Sequence, residues 1–198
     1  MRGLLSPPAR FPAESRSNKN FNELFEQPVP LKPQVYMLRQ DDPSKCTAAK
    51  LVRFGIAENL RHIGKRTIVL NPFSSEPVTR TDSELAESVC AIDCSWEKAD
   101  DVLKQKRLAR YGIGRRLPAM LAANPVNYAK LGKLSSAEAL AGALYILGEK
   151  ALAAQILDKF KWGHTFLELN GELLEDYASA KNAEQVRQVE RQYFPQLG

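Results

Sequence analysis

The 198-residue sequence predicts an α/β fold with a largely parallel sheet. Two patterns lead there. In the first half, short apolar runs of strand length alternate with a segment of helical period. In the last third, apolar residues recur every three or four positions in four successive stripes. The strand runs are Val35–Leu38, Thr67–Asn71 and Val89–Asp93, each closing on polar or turn residues, with Met120–Ala123 as a fourth candidate before Asn124-Pro125. Between the first two, Val52, Ile56 and Leu60 are spaced as on one helical face. Ser135-x-x-Glu138 has the form of a capping box, and Leu140, Leu144 and Leu147 follow it at helical spacing. Leu152, Ile156 and Phe160 make a second stripe. Phe166, Leu169, Leu173 and Tyr177 make a third, and Val186, Val189 and Tyr193 a fourth. All four are expected to face a core.

Six of the twelve prolines lie within residues 1–33, which show little periodicity. A flexible Pro-rich arm is expected there, with an ordered domain beginning near Gln34. No apolar run approaches the ~20 residues of a membrane helix, and the N-terminus lacks the apolar centre of a secretory signal. A cytoplasmic location follows as the expectation, and nothing calls for a second copy, so a monomer is expected. Three cysteines (Cys46, Cys90, Cys94) are too few for a disulfide framework, no CxxC pair occurs, and no metal site is expected. The net charge of +5 is concentrated between Glu97 and Arg116, where seven basic residues face three acids. Such a stretch is either a solvated helix face or a surface for phosphates.

Several segments carry residues that packing alone does not demand. Asp41-Asp42-Pro43-Ser44-Lys45-Cys46-Thr47 follows a strand, so Ser44 or Thr47 can cap the next helix, whose free N–H groups suit a carboxylate or phosphate. Asp93-Cys94-Ser95-Trp96 places a carboxylate at the C-terminal end of a strand, where α/β sheets bind ligands. Asp93 can equally cap a helix there, with Trp96 as a core anchor. Arg115-Arg116-Leu117-Pro118, the Asn124-Pro125-Val126-Asn127-Tyr128 turn and Leu134-Ser135-Ser136 suggest a fixed loop able to hold a flat ring through its main chain. Finally, Trp162 and His164 stand at a helix start, as packing and capping groups or as part of a site.

In this order, DDPSKCTAAKL, AIDCSW, RRLPAMLAANPVNY, KLSSAEALAGALYILG and FKWGHTFLELNGELLEDY resemble the small-subunit ribosomal RNA aminocarboxypropyltransferases, in their short archaeal form. The resemblance spans roughly residues 35–180. It implies a SPOUT-like α/β fold whose parallel sheet carries a C-terminal trefoil knot, preceded by a small N-terminal α/β part and followed by helices. The expected division is an arm at 1–33, an N-terminal part at 34–90 and a cofactor-binding part at 91–198, with 34–198 forming one compact unit. The implied reaction moves the 3-amino-3-carboxypropyl group of S-adenosyl-L-methionine to N3 of a pseudouridine, N1-methylated in many substrates, and releases 5′-methylthioadenosine. The implied partner is small-subunit rRNA or a pre-ribosomal particle.

Carried over position by position, Thr47 is expected at the cofactor's carboxylate arm, and Trp96 and Ala99 around its methyl. Leu117, Gly132 and Ser136 are expected around its adenosine. Asp93 is expected beside the sulfonium as counter-charge or as base for the uridine N3 proton. Lys104, Lys106, Arg107, Arg110, Arg115 and Arg116 are expected to contact RNA phosphates. Relatives often carry a larger residue where Gly132 stands, and a glycine where this chain has Ala129. Two other readings remain: a SPOUT RNA methyltransferase with the same cofactor, and a non-catalytic ribosome-assembly factor that binds RNA through its basic face.

Overall fold

The computed structural model describes residues 30–38, 46–93 and 112–197. Their elements in chain order are β1 (Lys32–Met37), α1 (Thr47–Arg53), β2 (Glu58–Asn59), β3 (Thr67–Leu70), β4 (Ser88–Asp93) and β5 (Ile113–Arg115). The helices α2 (Ser136–Ile146), α3 (Lys150–Leu157), α4 (Gly163–Ser179) and α5 (Ala183–Tyr193) follow. The five strands form one sheet in the order β2-β1-β4-β3-β5, and every pairing is parallel. Its middle is buried on both faces, as parallel sheets require. All four residues of β3 and the first four of β4 are buried. Helix α2 packs across β4 and against α3 and α4, so Val35, Ile68, Val89 and Ala91 share a core with Leu140, Leu144, Phe166 and Tyr177. No described helix is long and apolar enough to cross a membrane.

The order starts earlier than Gln34. Leu31 is buried, its N–H donates to Glu149 Oε1 at 3.3 Å, and β1 begins at Lys32. Pro33 is tolerated inside β1 because β2 pairs only with Gln34 and Val35, so the missing N–H falls where that side of the strand has no neighbour.

The helix expected through Val52, Ile56 and Leu60 stops at Arg53. Gly55 adopts φ 68° and turns the chain, after which Leu60 N–H bonds to Val35 O as part of the sheet's edge. The strands β2 and β5 carried too few residues to register as apolar runs. The four helical stripes fall on α2 to α5 as expected, although Phe160 lies just past α3 and Tyr193 is partly exposed.

Met120–Ala123 is not a strand of the sheet. The stretch is extended and largely buried, and its backbone partners are shared between the returning limb, to which Met120 and Ala122 bond and Leu121 bridges Leu131, and side chains of three helices that also hold the flanking residues Ala119 and Asn124. Glu190 Oε1 accepts from Ala119 N–H at 2.9 Å, and Tyr177 OH donates to Ala119 O at 2.9 Å. Asn170 accepts from Leu121 N–H at 2.8 Å and donates to Leu121 O at 2.9 Å, imitating a neighbouring strand. Glu138 Oε1 accepts from Ala123 and Asn124 N–H at 2.6 and 2.9 Å. Buried backbone groups have to be paired, and here polar residues of the helices pair those that the returning limb does not.

Candidate cofactor site

Three chain segments converge at the C-terminal end of the sheet's central strand. The first is Asp93, the last residue of β4. The second is the start of α1, where the N-cap is Cys46, neither Ser44 nor Thr47. Cys46 Sγ accepts from Ala49 N–H at 3.2 Å, while its S–H donates to Asp93 Oδ2 at 3.0 Å. The third is the start of α2, where Ser136 Oγ donates to the other Asp93 oxygen at 3.0 Å. Thr47 faces the same helix start, and its hydroxyl oxygen accepts from Ala137 N–H at 3.3 Å. The Asp93 carboxylate is thus pinned by a thiol and a hydroxyl, with lone pairs remaining on both oxygens. Burial, reinforced by the bond to Asp93, pushes the Cys46 thiol up to about 11, which keeps it a donor at neutral pH.

Beside this cluster lies a cavity of about 210 Å³. Ala91 and Ile92 of β4, the strand end at Leu70-Asn71-Pro72, the stretch Arg116–Ala119 and the residues Gly132, Leu134, Ser135, Ser136 and Ala139 line it. Leu117, Gly132 and Ser136, expected from sequence to surround an adenosine, therefore share one wall system. Thr47 and Asp93 join it through Ser136 and the helix start. Apolar groups such as Leu117, Pro118 and Leu134 suit a flat ring, and the anchored carboxylate suits a cation.

The loop that forms one wall is held from beneath. The capping box at Ser135 and Glu138 forms as expected, yet Glu138 does more than cap. It is fully buried, and besides the two backbone N–H groups above it accepts from Asn124 Nδ2 at 2.8 Å and Ser135 N–H at 2.7 Å. Asn124 in turn donates to Lys133 O at 3.1 Å and accepts from Asn127 N–H at 3.0 Å. Two left-handed residues, Ala129 at φ 60° and Gly132 at φ 69°, bring the chain back to the cavity.

Arg115 and Arg116 are engaged inside the fold. Arg115 pairs with Asp82 at 2.9 Å. Arg116 grips Glu190 with both Nη atoms, at 2.6 and 2.7 Å, and that bonding raises its pKa further. Each guanidinium group is paired with a carboxylate of the fold, Arg116 within the cavity wall itself, and the basic character attributed to them is neutralised locally. Trp162 stacks on Phe160 with centroids 5.0 Å apart, and His164 is exposed; neither lines the cavity. Trp96, Ala99, Lys104, Lys106, Arg107, Arg110, Cys94 and Ser44 lie outside the described residues.

Sequence reasoning missed Cys46 as the clamp on Asp93 and Glu138 as the loop anchor. For Cys46 the available signal was its place directly before an apolar helix, where a cap is expected.

The model of the family described as "Ribosome biogenesis protein, C-terminal" matches residues 68–194. The 16S rRNA aminocarboxypropyltransferase of Methanosarcina mazei is 39% identical over 177 residues, covering 87% of this chain and 99% of its own length. That of Thermoplasma volcanium is 45% identical over 161 residues, covering 79% and 94%. This chain belongs to the 16S rRNA aminocarboxypropyltransferase family. The solved SAM-dependent rRNA:acp-transferase of Vulcanisaeta distributa is similar in fold as well. Its TM-score is 0.73 at 38% identity, covering 82% of this chain and 97% of the solved one. A second model, "Possible Fer4-like domain in RNase L inhibitor, RLI", matches residues 35–65. Those residues hold a single cysteine, Cys46, and the whole chain holds three. An iron–sulfur cluster held by four thiolates does not fit that donor set.

Proposed function

We propose that this member of the family transfers the 3-amino-3-carboxypropyl group of S-adenosylmethionine to N3 of a pseudouridine, N1-methylated or not, in 16S rRNA. The observation that carries this reading is the Asp93 carboxylate, clamped by Cys46 and Ser136 at the rim of a cavity walled by Leu117 and Gly132. It occurs in a chain 38% identical to a SAM-dependent rRNA:acp-transferase of the same fold.

The sulfonium donor has three electrophilic carbons, and orientation decides which one meets the nucleophile. N3 attacks the arm's carbon next to sulfur, that C–S bond breaks with its electron pair going to sulfur, and N3 gives up its proton. Thr47 would fix the arm by its carboxylate, and Leu117 and Gly132 the adenosine. Trp96 and Ala99 would enclose the methyl, and Asp93 would stand beside the cation or accept the proton. The basic residues Lys104, Lys106, Arg107 and Arg110 would meet RNA phosphates, and Arg115 and Arg116 would support them by ordering the loop. A SPOUT-like knot belongs to the same proposal. So do action as a monomer in the cytoplasm, an arm that gives way to the ordered chain before β1, and the parts on either side of residue 90 acting as one unit.

The test is mass spectrometry of a small-subunit rRNA fragment incubated with the protein and S-adenosylmethionine. Gain of an aminocarboxypropyl group with release of methylthioadenosine is expected. Methyl gain with S-adenosylhomocysteine would mark a methyltransferase. Absence of cofactor binding in calorimetry would mark a non-catalytic assembly factor.

A further inference from the structure

The cavity's loop carries an unusual tip. Residues 120–132 leave and return as a narrow excursion, closed by Gly132 N–H to Met120 O at 2.9 Å and Ala129 N–H to Ala122 O at 2.7 Å. Its turn, Asn124 to Tyr128, is internally bonded and anchored through Glu138. Yet Val126 is 81% exposed and Tyr128 58% exposed at that turn. Single exposed apolar residues are ordinary. Here they sit on a fixed turn, and Tyr128 is four residues from Gly132 of the cavity wall, at most ~14 Å of chain. Along the chain the loop is basic: between Ala119 and Ala137 there are two lysines, Lys130 and Lys133, and no acid, and the Glu138 carboxylate that follows is fully buried.

We propose that Tyr128 stacks on an unpaired rRNA base next to the modified nucleotide, with Lys130 meeting an adjoining phosphate. This rests on the function proposed above. Uridine N3 lies on the Watson–Crick edge, so the target is reachable only when unpaired. A nucleotide drawn into a cavity leaves its neighbour without a stacking partner. An aromatic side chain replaces that partner whatever the base, since every base offers a π-face. The anchored turn holds the ring in place before RNA arrives, so little ordering entropy is lost on binding. Exposed apolar residues on a lysine-bearing, acid-free stretch match a polyanion with stacking bases better than a protein partner.

The test compares wild type, Tyr128→Ala and Tyr128→Phe in transfer to a single-stranded small-subunit rRNA fragment, with melts and cofactor calorimetry on each. Tyr128→Ala should raise KM for the RNA about tenfold, on the scale of one lost stack. Its kcat at saturating RNA and its cofactor affinity should stay near wild type, and Tyr128→Phe should retain the wild-type KM. Lys130→Ala should lower the salt slope of RNA binding by about one unit. Direct binding of the same fragment without cofactor is the second readout. If wild type binds it but transfers nothing, the functional reading fails, whereas a tenfold weaker Tyr128→Ala keeps the stacking surface. A KM and an affinity within twofold of wild type for Tyr128→Ala would overturn the proposal. So would a Tyr128→Phe variant as impaired as Tyr128→Ala, which would assign the hydroxyl, or a loss of cofactor affinity, which would assign Tyr128 to the cofactor site.

Discussion

Glu138→Gln is the sharpest test of how the cavity is built. The carboxylate accepts from four donors, two on each oxygen: Ala123 N–H and Asn124 N–H on one, Asn124 Nδ2 and Ser135 N–H on the other. A glutamine keeps one oxygen, so whichever way its amide turns, two donors meet an NH₂ group instead. Each buried donor left unpaired costs ~1–3 kcal/mol. Relief from burying a charge returns part of that, which leaves a net loss of ~2–4 kcal/mol. For a chain of this size such a loss lowers the melting temperature by roughly 5–15 °C. The same four bonds hold the loop whose returning limb, Gly132 and Leu134, lines the cavity. S-adenosylmethionine binding should therefore weaken several-fold at temperatures where the variant is still folded. Denaturant melts and calorimetry measure the two effects separately. A stability change under ~1 kcal/mol would refute the accounting of donors. A destabilised variant with unchanged cofactor affinity would refute the link between anchor and cavity.

Four further outcomes follow from the site and the backbone. Asp93→Asn should reduce transfer by about 10²-fold or more with little loss of folding, if the charge acts on sulfonium or proton; full activity would remove Asp93 from the chemistry. Cys46→Ser should preserve both the cap and the bond to Asp93, whereas Cys46→Ala should cost ~1 kcal/mol for the cap alone and raise KM for the cofactor. Equal behaviour of the two variants would show that the thiol does not position Asp93. Burial pushes the Cys90 thiol up to about 12 from an ordinary value of 9.0. Below pH 9 the thiol is protonated in folded and unfolded chains alike, and its contribution is fully present. From pH 9 towards 12 only the unfolded chain ionises, so stability falls, and denaturant melts of Cys90→Ala should fall less steeply over that range. Ala129→Gly should stabilise the chain by ~0.5–1 kcal/mol. It relieves a left-handed alanine at φ 60° at the smaller entropic cost of glycine; a lower melting temperature would contradict this.

What the sequence made legible was whatever is decided locally. A carboxylate ending an apolar run, a Ser-x-x-Glu box and apolar residues at helical spacing all declare themselves within a few residues, and Asp93, Ser135 with Glu138, and the four helical stripes stand where they were expected. The resemblance carried Thr47, Leu117, Gly132 and Ser136 to one neighbourhood, which local patterning could not have done. The short strands β2 and β5 escaped because two and three residues are too few to show a period. The helix drawn through Ile56 and Leu60 failed because spacing alone ignores Gly55, whose positive φ ends α1.

The misreading of Met120–Ala123 has a deeper cause, and it bears on how the site works. An extended apolar stretch normally implies a neighbouring strand, because its backbone groups need partners. Here part of the pairing comes from the chain's own return at residues 129–132, and the rest from side chains at Glu138 and Asn170, with Tyr177 and Glu190 holding the adjoining Ala119, from 15 to 71 residues further along the chain. No local pattern reports such a pairing. The helical stripes face the core as expected except at the exposed Tyr193, but the polar residues among them have a separate task. Asn170 and Glu190 are buried polar groups on otherwise packing helices, and each bonds the stretch that runs into the cavity wall. The C-terminal helices are thereby joined to the cavity wall by specific hydrogen bonds as well as by apolar contact. A substitution at Glu190 removes the partner of Arg116 and of Ala119 N–H together, and both of those residues line the cavity. Replacing Glu190 is therefore expected to weaken cofactor binding, although this residue of α5 does not itself line the pocket.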